Sequence, residues 1–259
     1  MISNDLFSSL FLSLVEGITE FLPVSSTGHL ILTSHLLGLA QTEFLKSFEI
    51  IIQLGAILAV VVLYWRTLLS SRRLLLRVLI AFIPTGLIGF FAYPLVKGFF
   101  LGNLKVVIIS LALGGILMLA LEDFFSQRKR QKKIKDLSLA QVFLIGVAQS
   151  LALVPGVSRA MVTIFAGLGT GLNRKSATEF SFLLAIPTMV GATGLDLVKV
   201  GFSFTRQEYL VLLVGFLGAF LAALLTVKAL IGFVKKHSFR FFAFYRIILA
   251  FVFWFFLGR

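Results

Sequence analysis

Six apolar stretches of roughly 20 residues recur along the chain, at about 46–65, 78–96, 105–124, 177–197, 209–228 and 240–258. Each has the length of a helix that crosses a hydrocarbon layer about 30 Å thick. No soluble core could bury all of them: 59% of the 259 residues are hydrophobic, against about 45–50% in an ordinary soluble domain. No polar block between them is long enough for a separate soluble domain, so residues 1–259 read as a single integral-membrane domain. The opening MISNDLFSSL lacks a basic n-region and an A-x-A-like cleavage site, so the first apolar segment is expected to belong to the mature fold. The absence of cysteine excludes disulfides and thiolate metal sites. A net charge of +13 would suggest nucleic acid in a soluble chain. Here the basic residues sit between spans, so they read as cytoplasmic loops and no nucleic-acid partner is expected.

Two further regions, about 5–44 and 138–175, are long enough to enter and leave a bilayer but are interrupted by Pro, Gly and polar residues. Lipid does not tolerate unpaired backbone, so such segments must be buried in protein or line a wet cavity. Both read as re-entrant helical hairpins. The basic loops after the first, third and fifth spans carry Arg66, Arg72, Arg73 and Arg77; RKRQKKIK from Arg128 to Lys135; and Lys228, Lys235, Lys236 and Arg240. These loops belong inside, which puts both termini outside, the first hairpin entering from the outer face and the second from the inner face. Each half is then one hairpin plus three spans, and the odd number of spans inverts the second half. The fold expected is an all-α polytopic membrane protein, six transmembrane helices plus two re-entrant hairpins in an inverted-topology repeat. Repeat 1 covers about 5–124, repeat 2 about 138–258, with a basic cytoplasmic loop at 125–137. The motifs agree: EGITEFLPVSS from Glu16 aligns with QSLALVPGVSR from Gln149, placing Ser25 on Ser158 and Ser26 on Arg159. Broken helices in inverted repeats commonly meet near the midplane and build a site there.

The first hairpin carries the densest polar cluster. Glu16 and Glu20 are four apart and share a helix face. A charge at the bilayer centre costs about 2.5–3.5 kcal/mol or more, so paired acids there need a partner or a function. They can share a proton, bind a divalent cation, or face Arg. Pro23 stops the helix, Ser25, Ser26 and Thr27 follow, and Ser25 can cap the next helix. Its free N–H groups and positive end make an anion site. His29 lies three residues after Ser26 on the same face and could take its proton as general base. In the second hairpin Pro155 and Gly156 make the break, Ser158 caps, and Arg159 opens the new helix with a guanidinium suited to phosphate oxygens. Glu49, Gln53 and Glu179 read as supporting residues. Arg246 reads as either a second phosphate clamp or a snorkelling anchor at the inner interface, and Asp196 and Lys199 as interfacial.

These residues resemble a known family. EGITEFLPVSSTGHLIL, FEIIIQLGAILAVV, AQSLALVPGVSRAMVTI and EFSFLLAIP are similar, in order and over nearly the whole chain, to the undecaprenyl-diphosphate phosphatase family, also called bacitracin resistance proteins. The family motif usually continues Ser-Arg-Ser-Gly, whereas Ala160 and Met161 follow Arg159 here, which puts a hydroxyl at position 160 in doubt and leaves Ser158, Arg159 and Thr163 in place. The resemblance implies a multi-pass enzyme of the bacterial inner membrane, its site opening to the periplasmic side. It would release inorganic phosphate from undecaprenyl diphosphate, recycling the lipid carrier of cell-wall synthesis and conferring bacitracin resistance. Carried over by position, Glu16 and Glu20 are the acidic pair and metal ligands for Mg2+ or Ca2+, Ser26 the nucleophile, His29 the acid/base and Arg159 the phosphate ligand. Ser25, Thr27, Ser158, Thr163 and Arg246 are expected on the substrate. Attack by Ser26 and attack by metal-activated water both remain open. The partners expected are the polyprenyl diphosphate, membrane lipids and, in a homodimer, a second copy of the chain. The rival class is a carrier that flips undecaprenyl phosphate, alone or with hydrolysis, since broken-helix repeats also suit alternating access.

Overall fold

A computed structural model describes residues 5–126, 131–201 and 204–257. Arg128, Lys129 and Arg130 of the basic loop, and Gly258 at the end of the last expected span, lie outside the described residues. Among the described residues ten α-helices follow in order: α1 Leu6–Thr19, α2 Ser26–Leu36, α3 Glu43–Ser70, α4 Arg72–Leu95, α5 Leu104–Ser126, α6 Leu139–Gln149, α7 Arg159–Gly169, α8 Arg174–Val200, α9 Arg206–Val234 and α10 Arg240–Leu257. A π-helical turn, Val96–Phe100, prolongs α4, and a 3-10 turn, Ser150–Leu153, prolongs α6. There is no named strand among the described residues. Five segments are long and apolar enough to cross a membrane: α3, Arg72–Phe100, Leu104–Phe125, α8 and α9. The chain is a multi-pass membrane protein.

Polar caps set where the helices begin. Asp5 accepts from the amides of Phe7 and Ser8 at 3.0 and 3.2 Å, and Ser71, Ser138, Asn173 and Thr205 do the same for α4, α6, α8 and α9. The caps lie beyond the apolar stretches, so the helices outrun them. The 28 residues of α3 reach about 42 Å, more than the hydrocarbon thickness. This extension corrects one expectation. Asp196 is not interfacial: it is fully buried, its Oδ1 2.5 Å from Lys97 Nζ and 2.8 Å from Tyr93 OH. Lys97 is buried in the π-helical turn and also donates to Ser47 at 3.2 Å. The overhanging ends of α4 and α8 bury their charges on each other.

α9 packs against α1 and α3, α6 against α4, α8 against α3, α4 and α7, and α10 against α5. Small residues allow these approaches, as expected where lipid gives helices no apolar reason to associate. A Cβ on Gly17 of α1 would sit 2.5 Å from Ala219 O and 2.6 Å from Ala222 Cβ of α9, and one on Gly146 of α6 would collide with the Ala81 carbonyl of α4.

Candidate active site

The breaks after α1 and before α7 come together. At the first, Pro23 has no N–H to continue a helix, and Ser25 adopts φ 74° and ψ 90°. It is the only described non-glycine residue with positive φ. Its Oγ accepts from the Gly28 amide at 3.3 Å, capping α2. At the second, Gly156 takes φ +90° beneath α5, where any side chain would meet the Val107 carbonyl at 2.6 Å. Ser158 Oγ caps α7 through the Met161 amide at 3.1 Å and reaches the Leu22 carbonyl of the other break at 3.4 Å.

Three charged or polar groups span the junction. Ser26 Oγ donates to Glu20 Oε2, and Arg159 Nη2 donates to Glu20 Oε1 at 2.8 Å and to the Glu20 carbonyl at 3.4 Å. Arg159 Nη1 donates to the Ser181 carbonyl of α8 at 2.9 Å. All three side chains are buried, with Arg159 8% exposed and Glu20 6%. In such surroundings breaking a charge pair costs about 3–5 kcal/mol, so Glu20 and Arg159 hold one another and tie the two hairpins. Glu16 lies one turn before Glu20, fully buried, and neither of its carboxylate oxygens has a hydrogen-bond partner among the described residues.

His29 departs from its expected arrangement. Its Nδ1 lies 2.7 Å from the Ser25 carbonyl and its Nε2 2.8 Å from Tyr245 OH, with the two rings stacked at 5.6 Å. Ser26 donates its hydrogen bond to Glu20 instead. The reason is directional. Side chains on a helix tilt toward its N-terminus, so Ser26, the first residue of α2, aims back into the break, and His29 reaches back to Ser25. Arg246 is neither a snorkelling anchor nor aimed at the cavity. It is fully buried and donates to the carbonyls of Pro23 (3.3 Å), Ser110 (3.1 Å), Leu111 (3.4 Å) and Gly156 (2.8 Å). Its guanidinium thus staples both breaks to α5. Thr163, expected on the substrate, instead bonds the Arg159 carbonyl at 2.8 Å and Ser181 Oγ at 2.7 Å. Glu49, expected as a supporting residue, is buried with no hydrogen-bond partner for its carboxylate oxygens among the described residues, and Glu179 pairs with Lys175 at 3.6 Å. Tyr245 escaped sequence reasoning because a tyrosine in an apolar helix has no local signature of its partner. Gln149, which aligns with Glu16 in the repeat, donates from Nε2 to the Thr85 and Thr188 hydroxyls at 3.0 and 3.1 Å.

Thr27 and Arg159 open on a cavity of about 590 Å³ that also meets Gln53 and Gln149 and runs between α4 and α8 along Phe82, Phe90 and Met189. Its lining is mostly apolar, with the cations Arg159 and Lys97 and the polar side chains of Thr27, Gln53, Tyr93 and Gln149 set into it. Among the described residues no three His, Cys, Asp or Glu side chains gather as a metal cage. The orphaned Glu16 carboxylate beside Glu20 nevertheless suits a divalent cation, which prefers hard oxygens and takes other ligands from phosphate and water.

The model of the bacitracin resistance protein BacA family matches residues 9–252. The chain is similar to proteins named undecaprenyl-diphosphatase from several bacteria. It is 52% identical over 247 residues to that of Aquifex aeolicus, covering 95% of this chain and 96% of the relative. It is 52% identical over 257 residues to that of Thermus thermophilus, covering 98% of each. With the protein of Persephonella marina it shares 50% over 249 residues, 96% of this chain and 97% of the other.

Proposed function

The chain belongs to the bacitracin resistance protein BacA family, and we propose that it hydrolyses undecaprenyl diphosphate to undecaprenyl phosphate and inorganic phosphate. The observation that carries the chemistry is the Ser26–Glu20–Arg159 chain across the two hairpins. Ser26 Oγ attacks the terminal phosphorus as its proton passes to Glu20, an Oγ–P bond forms, and the bridging P–O bond breaks with its electrons leaving on undecaprenyl phosphate. Water then attacks the phosphoserine, releasing phosphate and losing a proton to solvent, while Glu20 returns its proton to Ser26. Arg159 and the free amides at the start of α2 and α7 offset the negative charge on phosphorus. Glu16 and Glu20 would hold a divalent cation. When bound, such an ion supplies further neutralisation of the diphosphate. Chelation should abolish turnover and Mg2+ or Ca2+ should restore it, whereas the Glu16→Gln variant should show no restoration at the same concentrations.

The mixed character of the cavity supports the substrate class: a diphosphate at Arg159 and Thr27, a polyprenyl tail leaving between α4 and α8. Pairing of the helices supports the finer fold reading. Exchanging α1–α5 with α6–α10 turns the α1–α9 contact into the α6–α4 contact and leaves α3–α8 and α5–α10 unchanged, as two related halves require. We count α10 as the sixth span and propose an inner-membrane protein whose site opens outward, a sidedness that the basic loops after the first, third and fifth spans support. The deciding experiment is rapid quench of purified protein with substrate labelled in its terminal phosphate. Label is expected on Ser26 and none on Ser26→Ala, and an active Ser26→Ala enzyme would shift the reading to direct water attack.

A further inference from the structure

Ser25 combines two demands that oppose each other. Its hydroxyl caps α2, yet its backbone lies at φ 74°, a region that a side-chain-bearing residue occupies only when its surroundings over-determine it. Glycine would relieve the backbone but lose the cap. What holds the conformation is visible at the Ser25 carbonyl, which accepts from the His29 amide at 3.1 Å and from the His29 ring at 2.7 Å. A carbonyl can only accept, so Nδ1 carries the hydrogen. In the neutral ring Nε2 is then an acceptor, and the Tyr245 hydroxyl donates to it at 2.8 Å. The order of bonds is therefore Tyr245 O–H to Nε2, Nδ1–H to the Ser25 carbonyl, across three elements: α10, α2 and the break. α10 is itself anchored at the next residue, where Arg246 grips carbonyls of both breaks. Both imidazole nitrogens are thus engaged away from Ser26, the neighbour of the strained residue.

We propose that His29 and Tyr245 form a positioning pair that holds Ser25 in its strained conformation and thereby aims the Ser26 hydroxyl at Glu20. This deepens the phosphatase reading and rests on it for its kinetic arm alone. Tyr245 is 38% exposed, and Tyr245→Phe keeps the stacked ring while removing only the hydroxyl, so a folded variant is expected.

Three measurements on the full chain in lipid nanodiscs test the pair. Nitrogen-15 spectra of the imidazole should show wild-type His29 as the Nδ1–H form, with its Nε2 signal moved in Tyr245→Phe; an Nε2–H form in the wild type, or an unmoved signal in the variant, overturns the proposal. With undecaprenyl diphosphate, Tyr245→Phe should lose roughly tenfold in kcat with KM within about twofold. An unchanged kcat overturns the proposal. The third measurement is a double-mutant cycle with Ser25→Gly, which accepts positive φ without strain. The loss caused by Tyr245→Phe should shrink to within about twofold in that background, and an undiminished loss means that Tyr245 acts elsewhere. If the wild type releases no phosphate, the functional reading fails separately, and the imidazole spectra alone decide the positioning.

Discussion

Glu20→Gln would remove the acceptor of the Ser26 proton and the charge that faces Arg159 in one step. General-base catalysis contributes about 10²–10⁴-fold, so phosphate release should fall by at least about 100-fold, measured on protein that still elutes as a folded species. Retained turnover would remove Glu20 from the proton path. Arg159→Lys should act differently. The ammonium keeps the charge but not the planar fork that spans Glu20 and Ser181, and losing one charged hydrogen bond costs about 1.5–3 kcal/mol. Both KM and kcat should worsen, because the guanidinium meets phosphate before and during reaction; a change in kcat alone would confine it to the transition state. At this scale the meeting of Glu20, Ser26 and Arg159 was legible, since proline breaks set the end of α1, with Glu16 and Glu20, against the starts of α2 and α7. The partners of His29 and Arg246 were not. The sequence sets His29 against its helix neighbour Ser26 and Arg246 against phosphate or the inner interface, whereas both are held by groups more than 80 residues away or by backbone carbonyls.

Helix packing here depends on positions where a side chain has no room. Gly17→Ala in α1 would push on the backbone of α9, and Gly146→Ala in α6 on the backbone of α4. Overpacking costs about 1–3 kcal/mol, so each variant should lower the unfolding temperature in detergent. Activity should fall with it, because α1 carries Glu16 and leads into Glu20. Neutral behaviour of both would mean that the helices part more readily than their contacts suggest. The breaks themselves were readable, as Pro23, Pro155 and Gly156 interrupt apolar sequence. The element ends were less so: hydropathy locates the oily middle of a helix, whereas caps such as Thr42 and Ser71, outside that middle, decide its length. Hence Asp196, expected at the interface, is instead buried in a pair with Lys97.

For the whole molecule, sidedness is the testable claim. The chain has no cysteine, so single cysteines report cleanly. Ser70→Cys and Gln131→Cys, at exposed positions assigned to the cytoplasm, should resist a membrane-impermeant thiol reagent on intact cells, and Ala40→Cys should react. The opposite pattern would turn the site toward the cytoplasm. Sequence alone determined that the chain lives in a membrane and where two of its segments must break, because the cost of exposing polar backbone to lipid is local and can be read residue by residue. Which groups meet across those breaks was decided only by the tertiary structure. Ser26 could have turned to His29 or to Glu20, and Arg246 to phosphate, solvent or backbone. The choice depended on the aim of the first turn of α2 and on α10 closing behind both hairpins, and neither follows from the order of residues within any one helix.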